Sequence, residues 1–194
     1  MANPAAKVQA AVASGTVAER YADFASSLRY EVLPDHVVRL AKYCLIDAIG
    51  CAVFGKRFPW SQIVLDQVLA TGSKGPCTIP GVSSARIDPS KAALVLGAMA
   101  HAFELDSLRK PGAGVHPGAT VALPALAMAQ AQDVGGRDLI TAIVAGCEIL
   151  FRVGAATLHS SEKIGFHAPG ITGVFGAAAA TAALMKLPPR HGTP

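Results

Sequence analysis

The chain has 194 residues, 52% of them hydrophobic and only 15% charged, with a mean hydropathy of +0.41 and a pI near 9.0. A net charge of +4, 6% aromatic residues and no Lys or Arg run interleaved with aromatics argue against a nucleic-acid partner. The length fits one domain or a large part of a bigger one, and so apolar a chain predicts helices buried on several sides.

Helical signals recur along the chain and strand signals are scarce. "TVAE" at Thr16–Glu19 has capping-box spacing, and Ala18, Tyr21, Ala22, Ala25 and Leu28 follow at helical intervals. Pro34 suits a first helical turn, after which Val37, Leu40, Ala41, Cys44, Leu45 and Ala48 form a stripe; this helix is expected to end between Gly50 and Gly55. Trp60–Ala70 predicts a third helix. "PCTIPG" at Pro76–Gly81 predicts one short extended stretch, an edge at best because of its two prolines. Asp88 and Pro89 are an N-cap and first helical residue for a fourth helix that runs toward His101. Further helices are expected from Pro117, after the pair Gly135–Gly136, and from His167, the last stopped by "PPRHGTP". About seven helices with short links predict an all-α fold with at most one short extended segment.

The apolar run Gly170–Met185 is 16 residues long, below the roughly 20 needed to cross a bilayer, and its Ala and Gly content suits helix packing. The N-terminal stretch lacks the apolar core of a secretory signal. Cys44, Cys51, Cys77 and Cys147 form no CxxC pair and no tight Cys/His spacing, which argues against zinc and for buried, reduced thiols. A soluble, cytoplasmic protein is expected, with no membrane partner.

The chemistry concentrates where "HAFELDSLRKPGAGVHPG" interrupts the apolar helices. His101 and Glu104, three apart, share a helix face and could hold a metal ion. Such sites need similar pairs on several helices, so His101 alone reads as a polar helix end. Asp106 falls in a loop, where a lone acid is usually solvated. His116 directly precedes Pro117, and His167 repeats the design in "GFHAPG". A group at a helix start faces free N–H donors and the positive end of the helix dipole, a place for a substrate carboxylate with imidazole as proton donor or acceptor. Lys163, Arg109 and Lys110 are nearby cations that could hold carboxylates. Glu148 and Arg152, four apart, read as a structural pair. With no nucleophile elbow, P-loop or dinucleotide fingerprint, acid–base chemistry without cofactor or metal is the reading that remains.

"YCLIDAIGCAVFG", "GAMAHAFELD", "HPGATVALPALAMAQ" and "GFHAPGITGVFGAAAATAALMKL" resemble the MmgE/PrpD family, in that order. The resemblance covers Tyr21–Leu187, so that residues 1–187 read as the N-terminal portion of its helical domain and 188–194 as a tail outside it. It implies proton transfer at carbon next to a carboxylate, on a small polycarboxylate. The activities it brings are 2-methylcitrate dehydration, cis-aconitate decarboxylation and iminodisuccinate epimerisation. It also implies a homodimer and no cofactor. On this footing Asp106, with Glu104 as the alternative alignment, matches an acid of the family's "DD" or "DFDD" loop. His116 matches the "HP" histidine and His167 the "GFH" histidine. Asp106, His116 and His167 are the catalytic candidates; Glu104, Arg109 and Lys163 are the substrate-binding candidates. Ser107 stands where the loop's second acid is expected. Family members are longer, and the lid domain with its downstream lysine and tyrosine has no counterpart here. The expectation is therefore a truncated lyase-type member, with a non-catalytic, self-associating helical fragment as the alternative and a metal-dependent all-α protein as a weaker one.

Overall fold

A computed structural model describes residues 15–110 and 114–189. Residues 111–113 of the interrupting stretch, those before Gly15 and the last residues of "PPRHGTP" lie outside the described residues. In chain order the elements are α1 (Val17–Ser27), a 3-10 turn (Tyr30–Val32), α2 (Asp35–Gly55), α3 (Pro59–Ala70), β1 (Cys77–Ile79), β2 (Val82–Ile87), α4 (Pro89–Ala100), a π-turn (Gly118–Ala122), α5 (Leu123–Gln132), α6 (Gly136–Ala156), the single turn α7 (Ser160–Lys163) and α8 (Ala168–Leu184). The fold is all-α, with one two-stranded hairpin among the described residues.

Local chemistry starts several of these elements. Thr16 caps α1: its hydroxyl accepts from the Glu19 N–H at 3.2 Å, while its own N–H donates to the Glu19 carboxylate at 2.7 Å. Replacing Thr16 with Ala should destabilise α1 by about 1 kcal/mol, read as faster amide exchange in its first turn only. Asp88 caps α4 and accepts from Ser73 Oγ, Ser90 Oγ and the Lys91 N–H. These bonds, that from Ser73 first, hold its carboxyl well below the ordinary carboxylate range.

Two points correct the sequence reading. The α2 stripe is rotated: Val38, Ala41, Ala48, Cys51 and Ala52 are buried, whereas Leu40 is 62% exposed. The extended segment is a hairpin, Cys77 pairing with Ile87 and Ile79 with Val82 in antiparallel register. Gly81 supplies the positive φ of 78° that its turn requires. The hairpin is hooked to α5, because Gln130 Oε1 accepts from Thr78 N–H and Oγ and Cys77 Sγ donates to the Ala127 carbonyl.

The core lies on both sides of the π-turn and α5. One apolar cluster joins α2, α3, the hairpin and α4 to Ala119, Leu123 and Ala127. The other joins Val121, Ala122, Ala125 and Ala129 to α6 and to Ala180 and Leu184 of α8. By length and composition α6 could cross a membrane; in the fold its Leu139, Ile140, Ala142, Ile143 and Leu150 lie in that second cluster, and Ala145 and Ile149 pack in a third with Ala25 of α1. Glu148 and Arg152 do pair, at 3.0 Å, on the exposed face of α6, where such a pair adds little. All four cysteines are unpaired; Cys51 and Cys77 are buried, Cys44 and Cys147 half-buried. This arrangement brings the C-terminus of α4 and the starts of the π-turn and α8 to one place.

Candidate active site

α4 ends at Ala100, with His101 as its C-cap. The chain then reverses over 101–110 instead of running on into solvent, because several contacts pin it. The Ser107 N–H donates to Asp47 Oδ2 of α2 at 2.9 Å, and Trp60 Nε1 donates to the Ala102 carbonyl at 3.0 Å. Phe103 packs on Phe54 and Phe58, with ring centroids 5.1 and 5.0 Å away. The reversal carries Asp106 back under His101, five residues earlier.

Asp106 is therefore not a solvated loop acid. It is 4% exposed, and its Oδ1 accepts from His101 Nδ1 at 2.8 Å. His116 Nδ1 stands 3.4 Å from the same oxygen but makes no hydrogen bond, and Asp106 Oδ2 and His101 Nε2 are likewise buried without a partner. The imidazoles gather closely: the His101 ring lies 4.6 Å from that of His116 and 5.3 Å from that of His167. Glu104, in a left-handed conformation at φ 55°, reaches across to His167, its Oε1 3.2 Å from Nε2, and stands 3.9 Å from His101 Nε2.

His101 is the hub of this group. The Asp106 hydrogen bond raises its pKa above the ordinary histidine value, against the opposing pull of burial. With a carboxylate accepting at Nδ1, the neutral ring carries its proton there and leaves the Nε2 lone pair free. That is the tautomer of an oriented general base. Nothing in the spacing marks His101 this way, since five residues is not a helical interval; only the reversal after Ala100 creates the contact.

A cavity of about 340 Å³ opens beside His101 and His167, with Thr120, Trp60 and Gly170 also on its walls. Its size falls in the usual range for small-molecule sites, roughly 300–1,000 Å³. A larger hollow of about 870 Å³ lies between the end of α1, the start of α6 and the end of α8. It contains no histidine, and its charges partly compensate, Arg137 standing 3.7 Å from Glu31. The smaller cavity is the better candidate because the oriented imidazole faces it.

The structure brings together Asp106, His116, His167 and Glu104 and leaves two expected contributors outside the cavity wall. Arg109 lies with its guanidinium 5.3 Å from the Phe151 ring centroid, and Lys163 is exposed at the end of α7. No Lys or Arg lines the cavity among the described residues.

Comparison with known proteins gives one consistent result. A family model described as the MmgE/PrpD N-terminal domain matches residues 19–191. A cis-aconitate decarboxylase of Aspergillus terreus (strain NIH 2624 / FGSC A1156) is 32% identical over 184 residues, covering 91% of this chain and 36% of that protein. The cis-aconitate decarboxylase-like protein oryM of Aspergillus oryzae (strain ATCC 42149 / RIB 40) is 32% identical over 185 residues, covering 90% and 38%. The cis-aconitate decarboxylase of Mus musculus is 28% identical over 182 residues, covering 89% and 36%. The chain thus spans little more than a third of the length of these relatives.

Proposed function

Since the chain belongs to the MmgE/PrpD family, we propose that it contributes one wall of a lyase-type site acting on a small polycarboxylate by acid–base chemistry. The observation that carries this reading is the Asp106–His101 hydrogen bond at 2.8 Å, which frees Nε2 of a cavity-lining imidazole. Substrate carboxylates would dock at the starts of the π-turn and α8, where unpaired N–H groups and the helix dipoles favour anions. Glu104 would hold His167 in place, and Arg109 and Lys163 would draw anions from farther out. His167 and His101 would exchange the proton at carbon next to a carboxylate, with His116, whose Nδ1 stands 3.4 Å from Asp106 Oδ1, as the further acid–base partner. Asp106 is buried and acts through the imidazoles it touches. Because the named relatives are cis-aconitate decarboxylases, cis-aconitate is the first substrate to try. The four unpaired cysteines suit the cytoplasm as the setting.

The test is proton NMR in D2O with cis-aconitate, 2-methylcitrate, citrate and iminodisuccinate offered separately. Exchange or conversion of one of them is expected. His116→Ala and His167→Ala should each lower the rate by about a hundredfold or more with circular dichroism unchanged. Full rates in both variants, or silence on the whole panel, would overturn the reading.

A second reading has its own support. Leu40, Tyr43 and Ile46 of α2 are 62%, 63% and 66% exposed, an apolar face suited to self-association. A non-catalytic chain that pairs through this face would sediment as a homodimer and leave all four acids untouched. A monomer with turnover would rule it out.

A further inference from the structure

We propose that Cys44 and Cys147 form a dithiol that hydrogen peroxide oxidises to a disulfide between α2 and α6, beside the loop that carries Asp106. Cys44 belongs to α2 and Cys147 to α6, and both border the same apolar cluster. The two thiols hydrogen-bond to each other. Cys44 Sγ also stands 3.7 Å from the hydroxyl of Ser107, the residue next to Asp106. Both cysteines are half-buried, so each keeps some surface that a molecule as small as peroxide can reach.

The two sulfurs are divided in the way a redox pair needs. The hydrogen bond from Cys147 first, with that of Ser107, holds the Cys44 thiol below its ordinary pKa, against burial and the charges of Asp47 and Asp106. The same bond to Cys44, and burial after it, hold Cys147 well above. One sulfur thus ionises more readily while the other keeps its proton, which is how an attacking cysteine and its resolving partner differ. The remaining cysteines lack this division. Cys51 and Cys77 are buried, which pushes both thiols up, and Cys77 Sγ donates to the Ala127 carbonyl.

In the first step the Cys44 thiolate attacks one oxygen of peroxide; the O–O bond breaks and hydroxide leaves. Cys44 is oxidised to the sulfenic acid and the peroxide is reduced. In the second step Cys147 sulfur attacks Cys44 sulfur, the S–S bond forms, and the departing hydroxide takes the Cys147 proton as water. Two thiols and one peroxide become one disulfide and two waters. A disulfide is only about 2.05 Å long, so closing it draws Cys44 Sγ off Ser107. Ser107 N–H is tied to Asp47 Oδ2 at 2.9 Å, three residues beyond Cys44 on the same helix. Its neighbour Asp106 holds His101 Nδ1 at 2.8 Å. Oxidation therefore reaches the oriented imidazole through one residue. A pair that is reduced at rest and closes on demand fits a reducing compartment, where disulfides are usually transient.

The dithiol stands independently of the lyase reading, so its test reads sulfur and imidazole and leaves turnover aside. The chain is reduced, freed of reductant, treated with hydrogen peroxide and mapped by mass spectrometry without further reduction. The peptides of Cys44 and Cys147 should be joined within one chain and lighter by two hydrogens, with Cys51 and Cys77 alkylated only after denaturation. Cys44→Ser should slow peroxide consumption by about tenfold or more. Cys147→Ser should instead leave Cys44 as a sulfenic acid that a cyclic 1,3-diketone traps. The His101 imidazole resonance should move on oxidation and return with dithiothreitol. A bond through Cys51 or Cys77, a bond between chains, Cys44 over-oxidised without a cross-link, or no loss of thiols would overturn the dithiol. An unmoved His101 resonance in the cross-linked chain would overturn its reach into the site, whatever the acid panel shows.

Discussion

Asp106→Asn should leave the chain folded and lower proton transfer at the site by about three orders of magnitude. The substitution keeps the shape of a side chain that is 4% exposed and removes its charge. An amide in that place can turn its NH2 toward Nδ1, which reverses the tautomer and puts the ring proton on Nε2, where the free lone pair is needed. In serine proteases the same change costs about 10⁴-fold with the geometry intact; a smaller loss is expected where His167 shares the chemistry. The variant's amide NMR spectrum should overlay that of the wild type away from residues 101–116, and the rate on the acid panel should collapse. A rate within a few fold of wild type would separate Asp106 from the chemistry.

The same substitution has a pH signature. Asp106 raises the His101 pKa above its unfolded value. A group raised in this way contributes stability that is complete below the unfolded pKa, about 6.5, and lost as pH rises through the folded one. The wild type should therefore lose stability on going from pH 6 upward through the folded pKa of His101, and Asp106→Asn should lose that component. Imidazole resonances followed through the same range should show His101 titrating at lower pH in the variant.

Gly146→Ala should lower stability by about 2 kcal/mol, although alanine is the better helix former. α6 and α8 cross at Gly146 and Gly176. A Cβ on Gly146 would lie 2.6 Å from the Gly176 carbonyl oxygen, 2.6 Å from Val121 Cγ1 and 3.0 Å from Ala180 Cβ. The first contact is with backbone, so relief requires the helices to part. In an open helix the same change gains up to about 1 kcal/mol, whereas overpacking a dense core costs about 1–3 kcal/mol and sometimes more; here the crossing decides the sign. Gly50 in α2 has nothing within 4 Å of an added Cβ, and Gly50→Ala should gain about 0.5–1 kcal/mol. Urea midpoints of the two variants should move in opposite directions. A parallel shift would contradict the close crossing.

How much of this was legible depended on the range of the interaction. Caps are local, so Thr16 with Glu19 and Asp88 with Pro89 could be read from four residues and are found as expected. The helices and the all-α class follow from apolar periodicity. Where apolar residues surround a helix, periodicity stops naming the inner face, and Leu40 in α2 was assigned to the wrong side. Strand β2 was missed because "VSSARI" has two serines and no aromatic residue; its pairing comes from the Gly81 turn and the hook onto Gln130. His116 and His167 stood out because each precedes a proline at a helix start. By spacing alone His101 reads as a polar helix end and Asp106, a catalytic candidate only through the family resemblance, as a loop acid, because their contact arises from a chain reversal held by Asp47, Trp60 and Phe103. Those three lie remote in sequence or look unremarkable, and no spacing rule connects them.

The turn Gly118–Ala122 bears on how this region tolerates change in length. Its amide at Leu123 reaches back to the Gly118 carbonyl, five residues instead of four, so the start of α5 contains one residue more than an α-helix would need. Each residue of a regular helix carries the chain through about 100°. Deleting one residue of the five would let an ordinary turn close with the two flanks still in phase, so that His116 would stay beside Asp106. Deleting one from the middle of α6, which has no spare residue, would turn its two halves by about that angle relative to each other. The wide turn is thus a reserve of length, and a one-residue deletion is best absorbed there.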